Sequence, residues 1–219
     1  MGELWEVLQR HFPEFRTGFF VTCRLVVVSF AIAMVVGTFV AAFRVAPFKW
    51  LNRIGGVYVE TFRNIPLLVL IFIAFFGFPE AITPGPWVAG SFSLGLYTAA
   101  YVAEAIRSGV FAVGKGQIEA SLSLGFTYPQ TLRRIVLPQA VRTVIPPLGS
   151  LTIAMIKNSA VVGASPLGIE DLLKTARQIN SLTFQTHEAF FWSAVGYLIL
   201  TVAATIAVRK LETKLVIKR

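Results

Sequence analysis

The feature that most constrains this chain is a run of 19 residues without a single charge, Leu25–Phe43. A second run, Ala189–Val208, is free of charge for 20 residues. A helix needs about 20 mostly apolar residues to cross the hydrocarbon core of a bilayer, so both runs are long enough. The chain is 55% hydrophobic and only 14% charged, which excludes a disordered chain and fits an ordinary soluble domain poorly. The sequence therefore predicts an all-α polytopic membrane protein.

Three further segments bring the predicted number of transmembrane helices to five, within a single domain covering residues 1–219. The second span carries Glu60 and Arg63 near its start, and the fourth carries one charge, Lys157. Two adjacent prolines, Pro146 and Pro147, predict an early break in the fourth span. The predicted spans are about 19–43, 54–78, 87–106, 143–164 and 189–208.

The N-terminal segment, residues 1–16, precedes the first span and is amphipathic. Leu4, Leu8 and Phe12 follow helical spacing, which favours a helix lying in the outer leaflet. A frayed tail with some aromatic residues explains the same pattern equally well. Both interpretations place residues 1–16 on the outer side.

The distribution of basic residues predicts the orientation of the spans. The loops on one side hold 13 of the 20 Lys and Arg residues, and the opposite loops hold four. Because cytoplasmic loops collect Lys and Arg, the N-terminus is expected outside and the C-terminus inside. The net charge of +9 is thus an orientation signal rather than a nucleic-acid footprint. The single cysteine, Cys23, excludes an intrachain disulfide.

The longest charged stretch is the inner loop 107–142, between the third and fourth spans. Residues 117–124 are good helix formers and stop at Gly125, which tolerates a positive φ. Thr127 followed by Gln130 is a capping-box pattern that starts a second helix. The loop is therefore predicted to form two short helices with a sharp bend at Gly125, a shape suited to a cytoplasmic partner.

This loop resembles the EAA loop of ABC importer permeases. Glu119-Ala120-Ser121 is followed by Gly125, nine intervening residues, Ile135 and Leu137-Pro138, with Ser where the family has Ala at the third position. The resemblance extends to the polar amino-acid permeases of the histidine, glutamine and glutamate type, and it covers residues 17–215. Matching segments of that type are 59–68, 100–109, 138–140 and 156–159.

The resemblance implies the type I ABC importer (MetI-like) permease fold and a place in the bacterial cytoplasmic (inner) membrane. It implies an ATP-driven importer of a polar amino acid, in which this loop is the coupling helix that docks on a separate ATPase. The alternative is a basic loop that merely keeps this part of the chain from being translocated. The residues assigned to coupling are Glu119, Ala120, Ser121, Gly125, Phe126, Thr127 and Tyr128.

The resemblance also implies a set of partners. They are an ABC ATPase dimer, a second permease subunit that is identical or related, and an extracytoplasmic amino-acid binding protein. Five spans hardly enclose a polar path alone, which agrees with a pair of permeases. No cofactor is expected in this chain, because ATP and Mg²⁺ would bind the partner ATPase.

Gly109–Gly116 nearly matches the phosphate-binding loop G-x-x-x-x-G-K-[ST], but Gly116 stands where Mg²⁺ needs a hydroxyl. No βαβ unit is predicted around it, so the required context is missing. His11 and His187 lack close partners in sequence and are poor metal ligands. A non-catalytic subunit without a metal site is therefore expected.

Polar residues inside the spans indicate a transport site. A charge at the bilayer centre costs about 2.5–3.5 kcal/mol on insertion scales, which makes Lys157 a functional candidate. Our hypothesis is that Lys157, Asn158 and Ser159 line the substrate pathway and that the lysine attracts a carboxylate. The alternative is that Lys157 snorkels to the outer interface or pairs with another subunit.

The in-span carboxylates point weakly to the sign of the substrate. Glu60 and Glu104 each have an arginine three residues later, Arg63 and Arg107, so two structural ion pairs are expected. Glutamate, aspartate or glutamine is then favoured over arginine, lysine or histidine. The rival function is a self-contained secondary transporter or channel, which typically carries internal repeats and paired broken helices.

Overall fold

The computed structural model describes the backbone of residues 2–215 and the side chains of residues 4–80 and 82–214. Every regular element within residues 2–215 is helical. The major helices are α1 (Gly2–Val45), α2 (Lys49–Asn64), α3 (Leu67–Phe76), α4 (Pro86–Phe111), α5 (Lys115–Ser123), α6 (Tyr128–Thr131), α7 (Leu137–Ala164), α8 (Leu172–Thr183) and α9 (Thr186–Leu215). A short 3₁₀ turn, Glu80–Ile82, precedes α4, and a π-helical turn, Leu132–Val136, joins α6 to α7.

Helix α1 unites the outer segment 1–16 with the first predicted span. Its only non-helical residue is His11, two residues before Pro13, and a proline inside a helix is a usual cause of such a kink. Val7 and Phe15 are buried against residues of α8 and α9. The Trp192 indole donates a hydrogen bond to the Leu4 carbonyl (2.7 Å). The outer segment therefore packs on the rest of the protein.

Helix α4 lies at the centre and packs mainly against α1 and α7. Small residues permit the close approach to α1: a Cβ at Gly95 would press on Ile32, and one at Gly37 would press on Val102. Ser29 of α1 donates to the Ser91 carbonyl of α4 (3.1 Å). The core of the protein therefore forms around α4.

Three helical stretches in the described part of the chain are long and apolar enough to cross a bilayer: Leu4–Val45, Tyr128–Ala164 and Thr186–Lys214. Helices α2 and α3 add a fourth if the bent pair is one span. Helix α4 has 26 residues but buries small and polar side chains within the protein. The count of five spans and the orientation of the termini stay predictions.

The second predicted span, 54–78, contains a sharp bend. Helices α2 and α3 meet at 102° across the break at Ile65 and Pro66. Ile65 has extended backbone angles (φ −93°, ψ 128°) because a residue before proline is crowded out of the helical region. The segment is thus a broken helix with its free ends between Asn64 and Leu67.

The break predicted at Pro146 and Pro147 is wrong, since α7 runs through both prolines as one helix of 28 residues. Membrane helices tolerate proline when neighbouring helices support the freed backbone groups, and here Ile145 and Gly149 are buried on either side. The irregular turn lies earlier, at Leu132–Val136, directly before another proline, Pro138. Helix α7 is therefore a continuous rod.

Candidate functional site

The bend in the inner loop is built by backbone geometry at Gly125. Helix α5 ends there with a left-handed residue (φ +84°), which a glycine adopts without strain. The Phe126 N–H donates to the Ser121 carbonyl (3.2 Å) and the Gly125 N–H to the Leu122 carbonyl (3.0 Å), which satisfies the last carbonyls of α5. The Gln130 side chain then accepts from the Thr127 N–H (2.9 Å) at the start of α6.

The two sides of this bend are fastened together. The hydroxyls of Ser121 and Thr131 lie 2.8 Å apart, and both side chains are buried. Beside them, Val113, Val136 and Ala140 form a small buried cluster with neighbouring apolar side chains. The serine at the third EAA position thus has a specific hydrogen-bond partner, and the segment 115–136 is held as one folded unit.

The same unit presents apolar side chains to its surroundings. Leu124 is 79% exposed and Tyr128 is 58% exposed. Glu119 and Ala120 are exposed beside them, while Phe126 is half-buried. Because these apolar side chains are exposed on a polar, basic segment, the segment is a candidate interaction site. We call the segment 115–136 the elbow.

A carboxylate near the end of α4 binds two arginines. Glu104 accepts from Arg107 on the same helix (2.5 Å and 3.0 Å) and lies 3.4 Å from Arg44 at the end of α1. Arg44 is a partner that sequence spacing does not reveal, because it comes from a distant helix. Glu104 therefore braces α4 against α1.

The ion pair predicted between Glu60 and Arg63 is wrong for this structure. Among the described residues no ion pair joins them, and Glu60 is exposed. The Arg63 guanidinium instead lies over the ring of Tyr101, 5.3 Å from its centroid. Helix α4 offers the arginine an aromatic face, a favourable cation–π arrangement that competes with the ion pair.

Arg63, Tyr101 and Glu104 line an open cleft of about 540 Å³ between the end of α2, α4 and α7. A cation, a carboxylate and several hydroxyl groups lie along the wall of the cleft. Its lining was not predicted as a set because the residues come from three helices far apart in sequence. The polar residues of the lining are Arg63, Tyr101, Glu104, Ser108, Thr143 and Ser150.

The three residues predicted to line a pathway on α7 do not share one surface. Lys157 is exposed, Asn158 is half-buried and Ser159 is fully buried, with its hydroxyl bonded to the Ile156 carbonyl (2.7 Å). Successive residues of a helix point about 100° apart, which separates the lysine from the serine. Lys157 makes no ion pair with any described residue. It lies about 30 Å along the rod from the N-terminal end of α7.

The sequence matches the family model described as "Binding-protein-dependent transport system inner membrane component" over residues 33–217. It is 40% identical to the probable glutamine ABC transporter permease protein GlnM of Bacillus subtilis (strain 168), over 95% of this chain and 96% of that protein. It is 36% identical to the glutamate transport system permease protein GluC of Corynebacterium efficiens, over the whole of both chains.

A solved structure shares the fold. The chain superposes with a TM-score of 0.89 on a chain from the crystal structure of an amino acid ABC transporter with histidines. The two are 31% identical, and the match covers 95% of this chain and 97% of the other.

Proposed function

The chain belongs to the family of inner-membrane components of binding-protein-dependent transport systems, and on that premise we propose that it imports a polar amino acid, glutamine or glutamate/aspartate. Its fold is that of a type I ABC importer permease. The observation that carries the proposal is the elbow, a rigid unit with exposed Leu124 and Tyr128 at the inner end of α7. The relatives named for glutamine and glutamate support the choice of substrate.

In this proposal the energy for transport comes from a partner protein that binds the elbow. We propose that an ABC ATPase dimer binds it through Leu124 and Tyr128, and that ATP and Mg²⁺ bind that dimer. This chain contributes no catalytic residue in the proposal. A second permease, identical or related, covers the exposed face of α7, and an extracytoplasmic binding protein delivers the amino acid.

We place the substrate contacts at the broken helix and at Lys157. Leu67 and Ile71 belong to the same buried cluster as Met155 and Ile156, so the start of α3 lies beside the outer half of α7. A broken helix at mid-depth supplies free backbone groups, and the N-terminal end of a helix favours a carboxylate. Lys157 adds a positive charge for the same carboxylate. Asn158 stays a candidate, whereas burial argues against Ser159.

Uptake by reconstituted vesicles tests the substrate. The permease, its ATPase and its binding protein are placed in liposomes with labelled glutamine, glutamate or arginine outside and ATP inside. We expect glutamine or glutamate to accumulate well above arginine. A preference for arginine would contradict the proposed substrate. Accumulation that persists without any ATPase would favour the rival function, a secondary transporter or channel.

A further inference from the structure

A fully buried carboxylate stands at the start of α8, outside the sites described so far. Asp171 is 0% exposed and accepts the Lys174 N–H (2.8 Å) on one oxygen and the Tyr197 hydroxyl (2.7 Å) on the other. No described basic side chain forms an ion pair with it. An unpaired charge is costly to bury, so this residue needs a stronger reason than local helix capping.

The carboxylate is seated directly on the last turn of α7. A Cβ at Gly163 would overlap the Asp171 carboxylate, so only glycine leaves room for it. Nearby, the Arg177 guanidinium of α8 donates to the Ala164 carbonyl at the end of α7 (3.0 Å). Two independent contacts therefore attach α8 to the outer end of the α7 rod.

The residue after the carboxylate ties α8 to two more helices. The Leu172 N–H donates to the Thr22 hydroxyl of α1 (3.1 Å), and the Ser193 hydroxyl of α9 donates to the Leu172 carbonyl (3.1 Å). A Cβ at Gly18 of α1 would also press on Thr175 of α8. The start of α8 is thus a junction of four helices, joined by buried hydrogen bonds.

Helix capping alone does not explain this arrangement. An N-cap needs only one acceptor oxygen, which Ser, Thr or Asn supplies without burying a charge. Here the second oxygen is used as well, by Tyr197, which lies 26 residues further along the chain on α9. The arrangement therefore fixes α8 to its neighbours as well as capping it.

We propose that Asp171 is a positioning residue that locks α8 to the outer ends of α1, α7 and α9, so that α8 moves with α7 as one body during transport. The proposal rests on the coupling role of the elbow in the proposed function. The rod of α7 is about 42 Å long, and its inner end continues into the elbow through the Leu137 N–H, which donates to the Leu132 carbonyl. A displacement of the elbow by the ATPase is then delivered to α8 on the outer face.

Distances between spin labels test whether α7 and α8 form one body. Val141 on α7 and Leu182 on α8 are both exposed, so each is replaced by a cysteine that carries a spin label. The native cysteine is removed by Cys23→Ser, and the distances are measured in the permease–ATPase complex in liposomes. We expect one narrow distance distribution that ATP does not shift. Asp171→Ala broadens it. Asp171→Asn leaves it narrow, because the amide oxygen still accepts from Lys174 and the amide nitrogen donates to the Tyr197 hydroxyl instead of accepting from it. A wild-type distance that shifts with ATP, or an Asp171→Ala distribution as narrow as wild type, would overturn the proposal.

Transport per ATP hydrolysed gives the functional readout. We expect Asp171→Ala to lower this ratio about fivefold or more, the lower end of typical coupling between sites, at an unchanged amount of complex. Tyr197→Phe removes only the hydroxyl that donates to Asp171, and it replaces Asp171→Ala in this experiment if the alanine variant does not assemble. Gly163→Ala places a Cβ against the Asp171 carboxylate and should lower the ratio as well, whereas Gly85→Ala, where nothing lies within 4 Å of a Cβ, is the matched control and should not. Uptake and ATP hydrolysis that fall in equal proportion would show a merely structural role, whereas a complex that never retains an ATPase would instead contradict the proposed function.

Discussion

One cation, Lys157, lies in the half of α7 that is farther from the elbow. It is exposed in the single chain and has no ion-pair partner among the described residues, and we propose that it attracts a substrate carboxylate. We expect Lys157→Ala to raise the KM for uptake about tenfold, because a hydrogen bond to a charged group contributes about 1.5–3 kcal/mol. Initial rates of labelled uptake over a range of substrate concentrations measure it.

Lys210→Ala is the matched control, since that lysine is exposed at the inner end of α9. It should leave KM unchanged. A Lys157→Ala transporter with unaltered affinity and uptake would remove the lysine from the pathway.

The burial of Asp171 makes the stability of the folded protein depend on pH. Desolvation raises the pKa of its carboxyl, outweighing the hydrogen bonds from Lys174 and Tyr197 that favour the charged form. Lys174 and Tyr197 are also the titratable groups that face it, whereas Thr22 on α1 and Ser159 on α7 are neutral. At pH values between the unfolded and the folded pKa, the folded protein therefore holds a proton that the unfolded chain has lost.

This contribution to the free energy of unfolding is fully present below the unfolded pKa of about 4 and is lost as pH rises through the raised folded pKa. The Tm of wild type should thus fall relative to that of Asp171→Asn as pH rises from about 4. Melting curves of both proteins in detergent measure the difference. Two Tm profiles that run parallel over the whole pH range would refute the direction of the shift.

At the level of elements, the elbow depends on exposed apolar side chains. Leu124 is the most exposed of them, and Leu182 on α8 is similarly exposed but lies at the opposite end of the α7 rod. We expect Leu124→Glu to lower the amount of ATPase that copurifies with the permease, because a charge replaces an apolar contact. Leu182→Glu should retain the ATPase fully. Equal retention by both variants would place the ATPase contact elsewhere.

The sequence predicts the elements whose causes are local. The bend at Gly125 and the helix start at Thr127 follow from one glycine and one capping pattern, and both are present. Pro146 and Pro147 gave the wrong local signal, because packing around α7 supports the helix through them. Proline alone does not distinguish the continuous helix α7 from the helix that is broken at Pro66, since the neighbouring helices decide the outcome.

Tertiary partners are the part that sequence patterns leave out. Spacing along one helix finds Glu104 with Arg107 but neither Arg44 nor the ring of Tyr101 under Arg63, because those groups arrive from other helices. From the sequence alone, Asp171 is indistinguishable from an ordinary acidic residue that caps a helix. Its burial against Gly163 and Tyr197 becomes visible only when α7, α8 and α9 are assembled.

At the scale of the whole molecule, we propose that the chain forms one side of a pathway. The cleft beside Arg63 and Glu104 is open, Lys157 is exposed, and the elbow carries exposed apolar side chains. The α7 rod joins the elbow on one side to the α8 junction on the other. In the proposed function, this arrangement carries a displacement of the elbow along α7 to the α8 junction.

The most direct test of this account is ATP-dependent uptake by liposomes that contain the permease, its ATPase and its binding protein. We expect labelled glutamine or glutamate to accumulate only when ATP is enclosed, and Leu124→Glu to abolish that accumulation while the variant permease still inserts at wild-type levels. Uptake that continues without ATP, or that is unaffected by the loss of Leu124, would contradict the claim that an ATPase drives this chain through the elbow.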